Sequence, residues 1–80
     1  MRLDKFLKVS RVIKRRTVAN EVCDAGRVQA NGRVVKASYD VQVGDELAIQ
    51  MGENTIRVRV LAIQDNPTKD AAKSMVEILP

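Results

Sequence analysis

Residues 2–47 read RLDKFLKVSRVIKRRTVANEVCDAGRVQANGRVVKASYDVQVGDEL, and this stretch decides the fold. Its first apolar side chains, Leu3, Phe6 and Leu7, lie at positions i, i+3 and i+4, which is the spacing of one helix face. The charged residues around them fall mostly off that stripe. The pattern predicts a first helix over about residues 2–9.

A second helix is predicted after the basic segment KRR at residues 14–16. Thr17 is a residue type that caps helix starts with its hydroxyl, and the apolar residues that follow it repeat at helical spacing. Gly26 lies where a helix commonly ends in the left-handed conformation. We therefore expect this helix to run from about Val18 to Ala25.

The apolar period changes from helical to alternating after Gly26, which predicts strands. Asn31-Gly32 is a strong signal for a tight hairpin turn, and two more turns are expected at residues 43–46 and 52–54. The predicted strands cover about residues 28–30, 34–35, 47–51, 56–60 and 75–79, with a loop over 66–73 before the last one.

The predicted order of helix, helix and several strands indicates an α+β fold, in which two short N-terminal helices pack on a small, mainly antiparallel β-sheet. Eighty residues form one domain, residues 1–80, and a chain of this length buries only roughly 60–65% of its unfolded surface. A deep substrate pocket would remove scarce core material, so the length disfavours an independent enzyme.

Cysteine and histidine usage excludes several kinds of site. The chain has one cysteine, Cys23, and no histidine, which leaves no intrachain disulfide and no ordinary zinc site. No cofactor is expected. Since the chain has neither a signal-peptide pattern nor an apolar run of about 20 residues, we expect a cytoplasmic protein that does not enter a membrane.

Charge divides the chain into two unequal parts. Residues 1–36 contain ten cations and three anions, for a net charge of +7, whereas residues 37–80 contain four cations and seven anions, for −3. A basic half of this kind attracts a polyanion, and its binding should weaken as salt is added. Exposed aromatic rings are the usual stacking platforms for single strands. Only Phe6 and Tyr39 are aromatic, which favours recognition of folded RNA by its shape and phosphates.

Several short motifs in residues 2–47 resemble, in order and spacing, the S4-type RNA-binding domain family. The matching pieces are Arg2-Leu3-Asp4, Ser10-Arg11, the segment from Lys14 to Thr17, Gly26-Arg27-Val28, Ala30-Asn31-Gly32 and Val43-Gly44-Asp45. Each piece alone is weak, but together they cover more than half of the chain. The pieces are also consistent with RNA binding on physical grounds, because a helix start with adjacent arginines is a favourable place for a phosphate.

The small stand-alone members of this family offer the best match in length and motif. The chain resembles the RqcP-like proteins of ribosome-associated quality control, and also the longer ribosome-associated heat-shock protein. This resemblance implies binding to large ribosomal subunits that still carry peptidyl-tRNA, through 23S rRNA and tRNA. It also implies cooperation with RqcH in C-terminal alanine tailing, and we expect a monomer when the protein is free.

The resemblance further implies that Arg2 and Arg16 are the principal RNA contacts. The roles of other residues in the same motif stay open, and Asp4 either orients an arginine or satisfies the first turn of its helix. These further candidates are Asp4, Lys5, Ser10, Arg11, Lys14, Arg15 and Thr17. Arg27 and Arg33 flank the predicted hairpin and extend the candidate surface, whereas Arg57 and Arg59 are expected to be solvated.

Three other functions fit parts of the pattern. A ribosome recycling or large-subunit assembly factor would use the same face on rRNA without alanine tailing. A DNA-binding regulator is a second alternative, because two short helices with a basic turn imitate a helix-turn-helix, although the β-rich second half weighs against it. A small enzyme is disfavoured, since no paired catalytic carboxylates or glycine-rich phosphate loop are present.

Overall fold

Three helices and a five-stranded antiparallel sheet make up the computed structural model, which describes residues 1–80. Along the sheet the strands follow the order β2-β1-β3-β4-β5, and every neighbouring pair is antiparallel. This confirms the predicted α+β class. The elements are α1 (Leu3–Val9), α2 (Arg16–Asp24), β1 (Val28–Ala30), β2 (Arg33–Val34), β3 (Glu46–Met51), β4 (Asn54–Val60), α3 (Lys69–Lys73) and β5 (Val76–Leu79).

The core lies between the two N-terminal helices and one face of the sheet. Alternate residues of β1, β3 and β4 are buried there, as the period of two predicts, and the predicted stripe of α1 is fully buried against them. Residues of this core include Leu3, Phe6, Leu7, Ala19, Cys23, Val28, Leu47, Ile49, Val58 and Val60. Burial raises the pKa of the Cys23 thiol to about 11, helped by nearby carboxylates, so this cysteine is a small core residue.

The start of α2 differs from the prediction. The helix begins at Arg16 instead of Val18, its N-cap is the extended residue Arg15, and no side chain caps it. Thr17 therefore lies within the first turn and is exposed. The physical reason is tertiary: the carboxylate of Asp4, contributed by α1, lies beside this end of α2 and bonds to Arg16.

The end of α2 matches the prediction. Gly26 has φ +77°, its N–H donates to the carbonyl of Cys23 at 3.0 Å, and the N–H of Arg27 donates to that of Val22 at 3.2 Å. This pair of bonds is the Schellman arrangement, which satisfies the last free carbonyls of a helix. The hairpin turn at Asn31-Gly32 is also present, with positive φ at both residues.

The expected loop over residues 66–73 is partly wrong, because Lys69–Lys73 form the short helix α3. Thr68 is its N-cap, and the Thr68 hydroxyl oxygen accepts a hydrogen bond from the N–H of Ala71 at 3.2 Å. Five residues are too few to display a helical apolar period, so the cap was the available signal. None of the helices has both the length and the apolar character needed to cross a membrane.

Asp45 is a buried carboxylate in the turn before β3, and it joins this turn to the hairpin. It accepts hydrogen bonds from the Tyr39 hydroxyl at 2.7 Å, the Gln42 N–H at 2.9 Å and the Asn31 amide at 3.0 Å. Desolvation raises the pKa of Asp45, but these three bonds outweigh it, and the net pKa is lowered. The hydroxyl of Tyr39 is thereby bonded within the fold.

Gly26→Ala is expected to destabilise the fold, because alanine pays a steric cost in the left-handed conformation that glycine avoids. The added methyl group has room, since its nearest neighbour is Val34 Cγ1 at 3.9 Å, and the loss comes from the backbone. We expect the free energy of unfolding to fall by about 1 kcal/mol and the Tm, measured by circular dichroism, to fall by about 4–8 °C. Gly26→Asn should lose less, and an unchanged Tm in the alanine variant would contradict this account.

Candidate nucleic-acid interface

The starts of α1 and α2 meet at one buried carboxylate, Asp4. Its side chain is only 4% exposed, and Oδ1 accepts from Arg2 Nε at 3.2 Å and from Arg16 Nη2 at 3.5 Å. Oδ2 accepts from Asn20 Nδ2 at 3.2 Å and from Arg2 Nη2 at 3.4 Å, and the N–H of Lys5 donates to Oδ1 at 2.8 Å. We call Arg2, Asp4, Arg16 and Asn20 the Asp4 cluster.

Local geometry explains how this cluster assembles. Arg2 is the N-cap of α1 in extended conformation, two residues before Asp4, so its side chain can fold back over the first turn. Arg16 and Asn20 lie four residues apart on α2 and therefore share one face of that helix. Asn20 was missed by the sequence reasoning, although its spacing from Arg16 was a usable signal.

The bonds in the Asp4 cluster keep the carboxylate ionised. Desolvation by burial raises the pKa of Asp4, but the bonds from Arg2, Asn20 and the Lys5 N–H, together with the charge of Arg16, outweigh it. The pKa falls to about 2 as a result. The interaction is mutual, since the bond to Asp4 raises the pKa of Arg2. Asp4 thus does both things that the sequence left open: it orients arginines and lies in the first turn of its helix.

The two arginines of the cluster stay available to a partner. The side chains of Arg2 and Arg16 are 52% and 48% exposed, even though both bond to the same buried group. A guanidinium has five N–H donors, and the bonds to Asp4 use only part of that capacity. Two positive charges meet the one buried negative charge of Asp4, and the charge of Asp24 also acts on Arg2 without forming a salt bridge with it. A cationic surface remains beside two helix starts, where partial positive charge already accumulates. Such a surface can accept phosphate oxygens.

Other predicted site residues lie around this surface in different settings. Lys14 and Arg15 are exposed on the segment that leads into α2, and Thr17 is exposed in its first turn. Lys5 is partly exposed, and its Nζ forms a salt bridge at 2.9 Å with Asp65, which lies in the loop before α3. These four positions remain predicted RNA contacts.

The predicted placement of Ser10 on the basic surface is corrected by the structure, because this residue lies inside the molecule. The residue is only 4% exposed, and its hydroxyl donates to the carbonyl of Leu7 at 3.4 Å. It is the C-cap of α1, and its N–H donates to the carbonyl of Phe6. Ser10 therefore ends the helix and shapes the turn that follows.

The remaining arginines fall into two groups. Arg11 lies just past the end of α1, Arg27 lies beyond the C-terminal end of α2, and Arg33 lies on β2. All three are exposed, and none of them bonds to Asp4. Arg57 and Arg59 lie on the open face of the sheet, near the carboxylate of Glu46 at 3.9 Å. Arg59 also pairs with Glu77 at 2.8 Å. Of these five arginines, Arg57 and Arg59 are therefore the ones that form salt bridges within the protein.

Comparison with known proteins identifies the architecture of this surface. The family model described as S4 domain matches residues 1–47, which contain α1, α2, the hairpin and the turn before β3. The chain belongs to the S4-domain family. The match starts before Arg2 and includes the whole Asp4 cluster, so the candidate interface is part of the S4 domain itself.

Full-length relatives extend this finding. The RQC P-site tRNA stabilizing factor of Bacillus subtilis is 53% identical over 79 residues, covering 99% of this chain and 92% of that protein. The protein of the same name from Streptococcus pneumoniae is 51% identical over 79 residues, covering 99% and 90%. These relatives confirm the resemblance to the small S4 proteins of ribosome-associated quality control.

A solved structure confirms the S4-type fold over the whole chain. The trimeric structure of Vibrio cholerae heat shock protein 15 matches with a TM-score of 0.88 at 26% identity, covering 99% of this chain and 81% of that one. The sheet beyond residue 47, with β4 and β5, is therefore part of a shared architecture.

The Asp4 cluster should make stability depend on pH in the acid range. The pKa of Asp4 is about 2 in the fold against an ordinary 3.8, so its contribution is complete above about pH 4 and is lost as pH falls through 2. Each pKa unit corresponds to about 1.4 kcal/mol, which gives a contribution of about 2 kcal/mol. We expect Asp4→Asn to lower the free energy of unfolding by about that amount at neutral pH.

Urea unfolding at neutral pH and near pH 2 measures this difference. The gap between wild type and Asp4→Asn should narrow in acid, because the wild-type carboxylate then becomes protonated. Glu53→Gln alters an exposed acidic residue that forms no salt bridge and serves as the control. A gap that is the same at both pH values would contradict the assigned role of Asp4.

Proposed function

We propose that this S4 domain is a non-enzymatic, cytoplasmic RNA-binding factor of ribosome-associated quality control. It binds large ribosomal subunits that retain peptidyl-tRNA after a stalled ribosome has split, and it contacts both 23S rRNA and the tRNA. In this role it supports the C-terminal alanine tailing of the nascent chain that RqcH drives. The observation that carries the proposal is the pair of half-exposed arginines, Arg2 and Arg16, held by one buried carboxylate.

Preorganisation is what makes this pair suited to RNA. Free arginine side chains lose conformational entropy when they bind, and that loss weakens association. In the Asp4 cluster the bonds to Asp4 already restrict Arg2 and Arg16 before any partner arrives. The planar guanidinium also presents paired donors that match two phosphate oxygens, which a lysine cannot imitate.

The names of the relatives support the tRNA part of the proposal. Proteins about half identical over nearly the full chain are named for stabilising tRNA in the P site. We therefore propose that this chain acts as a brace, holding the tRNA against rRNA and favouring one tRNA position after each alanine addition. The bond-forming chemistry stays with the ribosome, and the protein is a monomer when it is free.

A recycling or assembly factor is the competing function, and it makes a different prediction. Such a factor would bind large subunits equally well with or without peptidyl-tRNA. The proposed brace gains part of its affinity from the tRNA, so its binding should weaken when the tRNA is released. Co-sedimentation with purified large subunits that carry or lack peptidyl-tRNA separates the two functions.

Arg16→Ala is expected to weaken co-sedimentation with tRNA-bearing large subunits by about tenfold or more, since charge-assisted bonds contribute roughly 1.5–3 kcal/mol. Alanine tailing in a reconstituted assay should fall with it. The fold should persist, because Arg2 and Asn20 still bond to Asp4. Circular dichroism checks that point.

Arg57→Ala is the matched control for this experiment. It removes the same residue type at a similar exposure, 54% against 48%, but on the open face of the sheet. Its binding should stay within about twofold of wild type, because exposed ion pairs contribute little. Wild-type co-sedimentation of Arg16→Ala would overturn the assignment of Arg16 and, with it, the proposed interface.

A further inference from the structure

The first turn of α1 is capped by a distant segment of the chain. Its N-cap residue makes no side-chain capping bond. The N–H of Leu3 donates instead to the carbonyl of Tyr39 at 2.8 Å, and the N–H of Asp4 donates to that of Ala37 at 3.2 Å. These N–H groups are two of the donors that a helix start leaves without a partner inside the helix. We call residues 36–41 the capping segment.

The capping segment also fixes the backbone of Arg2. This arginine pairs with Asp40 as an isolated antiparallel bridge. On one side of the bridge the N–H of Val41 donates to the carbonyl of Met1 at 2.9 Å, and on the other side lies the first of the capping bonds. The side chain of Arg2 starts from this fixed point when it reaches the buried carboxylate of the Asp4 cluster. The place of the Arg2 guanidinium therefore depends on where the capping segment lies.

Asp45 holds the capping segment on both sides of that bridge. One oxygen, Oδ2, accepts both the Tyr39 hydroxyl at 2.7 Å and the N–H of Gln42 at 2.9 Å. Asp45 is itself tied to the sheet, because its carbonyl accepts from the N–H of Val60 in β4 at 2.8 Å. A single buried residue of the β-rich half thus connects the sheet to the start of α1 through the capping segment.

Tyr39 contributes to both ends of this connection. Its carbonyl accepts from the first turn of α1, and its hydroxyl donates to the charged Asp45. Hydrogen bonds to an ionised acceptor are stronger than neutral ones. The same bond raises the pKa of Tyr39, so the hydroxyl stays protonated and continues to donate at neutral pH.

We propose that Tyr39 is a positioning residue for Arg2, which it holds in the geometry that binds RNA although it is not itself an RNA contact. This inference rests on the proposed function and extends the binding machinery to a residue outside the two helices. Without the hydroxyl bond the capping segment and the backbone of Arg2 gain freedom. The long side chain of Arg2 then has more conformational entropy to lose when it binds a phosphate, and association weakens.

Tyr39→Phe tests this role, because it removes one hydroxyl and keeps the ring, every charge and the backbone bond to Leu3. Binding to purified large subunits that carry peptidyl-tRNA should weaken by about three- to fivefold. Measured over a series of KCl concentrations, the log–log salt slope should fall toward that of Arg2→Ala, although no charge has been removed. A purely structural role would leave the slope of the folded molecules unchanged. A wild-type slope would therefore overturn the inference.

A double-mutant cycle shows whether Tyr39 acts through Arg2. Arg2→Ala alone should weaken binding by about tenfold, since it removes a charge-assisted contact. The double variant Arg2→Ala/Tyr39→Phe should bind about as weakly as Arg2→Ala, because coupled residues have non-additive effects. Partial unfolding, or a direct contact of the Tyr39 hydroxyl with RNA, would instead multiply the two effects to about 30–50-fold. That result would contradict a positioning role.

Thr68→Ala is the matched control for the loss of a hydroxyl. It removes a hydrogen bond at the N-cap of α3, and Thr68 bonds neither to the Asp4 cluster nor to the capping segment. The Tm should fall by about 4–8 °C, while binding stays within about twofold of wild type and the salt slope is unchanged. Circular dichroism at the binding temperature checks that every variant is folded. Equal binding defects in Thr68→Ala and Tyr39→Phe would identify general destabilisation as the cause and overturn the inference.

The outcomes keep this inference apart from the proposed function. Wild-type binding of Tyr39→Phe, with Arg2→Ala and Arg16→Ala both defective, would overturn the positioning role and leave the proposed function standing. Wild-type binding of Arg2→Ala alone would have the same effect, because Tyr39 would then have no contact to position. Wild-type binding of all three variants would overturn both.

Discussion

The carboxylate of Asp4 is buried and charged, and the rest of the basic half of the molecule is arranged around that fact. A buried charge is costly unless it is paired and fully hydrogen-bonded. Here the partners come from two helices, with Arg2 from the start of α1 and both Arg16 and Asn20 from α2. Satisfying one acidic side chain therefore brings two helix starts together and holds two arginines at the surface in a defined geometry.

The two carboxylates with little exposure have parallel roles in different halves of the fold. Asp4 joins α1 to α2, while Asp45 joins the β1–β2 hairpin to the turn before β3 through Tyr39, Asn31 and Gln42. Both have a lowered pKa because hydrogen bonds outweigh the cost of desolvation. The first supports a candidate binding surface, and the second stiffens the sheet on which that surface rests.

The charge that a surface offers to a partner depends on which cations pair with carboxylates of the fold, and not only on where the cations occur in the chain. Arginines on the open sheet face meet Glu46 and Glu77, so that face has little net charge to offer a polyanion. The Asp4 cluster keeps an excess of one positive charge, and Lys8, Arg11 and Lys14 form no salt bridge. A uniform count of lysines and arginines would have missed this difference, which gives the domain one side suited to RNA.

The sequence alone determined the features that depend on near neighbours. The stripe of Leu3, Phe6 and Leu7, the turn at Asn31-Gly32 and the alternation along β3 and β4 each follow from a few adjacent residues, and each is present in the structure. The motif order in residues 2–47 was likewise sufficient to indicate an S4 domain and its basic half. The short helix α3 was missed because five residues show no period.

Only the tertiary structure decided which polar residues meet. The start of α2 at Arg16, the burial of Ser10 and the inclusion of Asn20 all depend on how α1 lies against α2. The salt bridge of Lys5 with Asp65 joins residues sixty positions apart. Periodicity and turn chemistry act over one or two turns of chain, whereas the partners of a buried charge are set by packing between distant segments. For that reason the basic residues could be named from sequence, but which of them bond to a buried carboxylate could not.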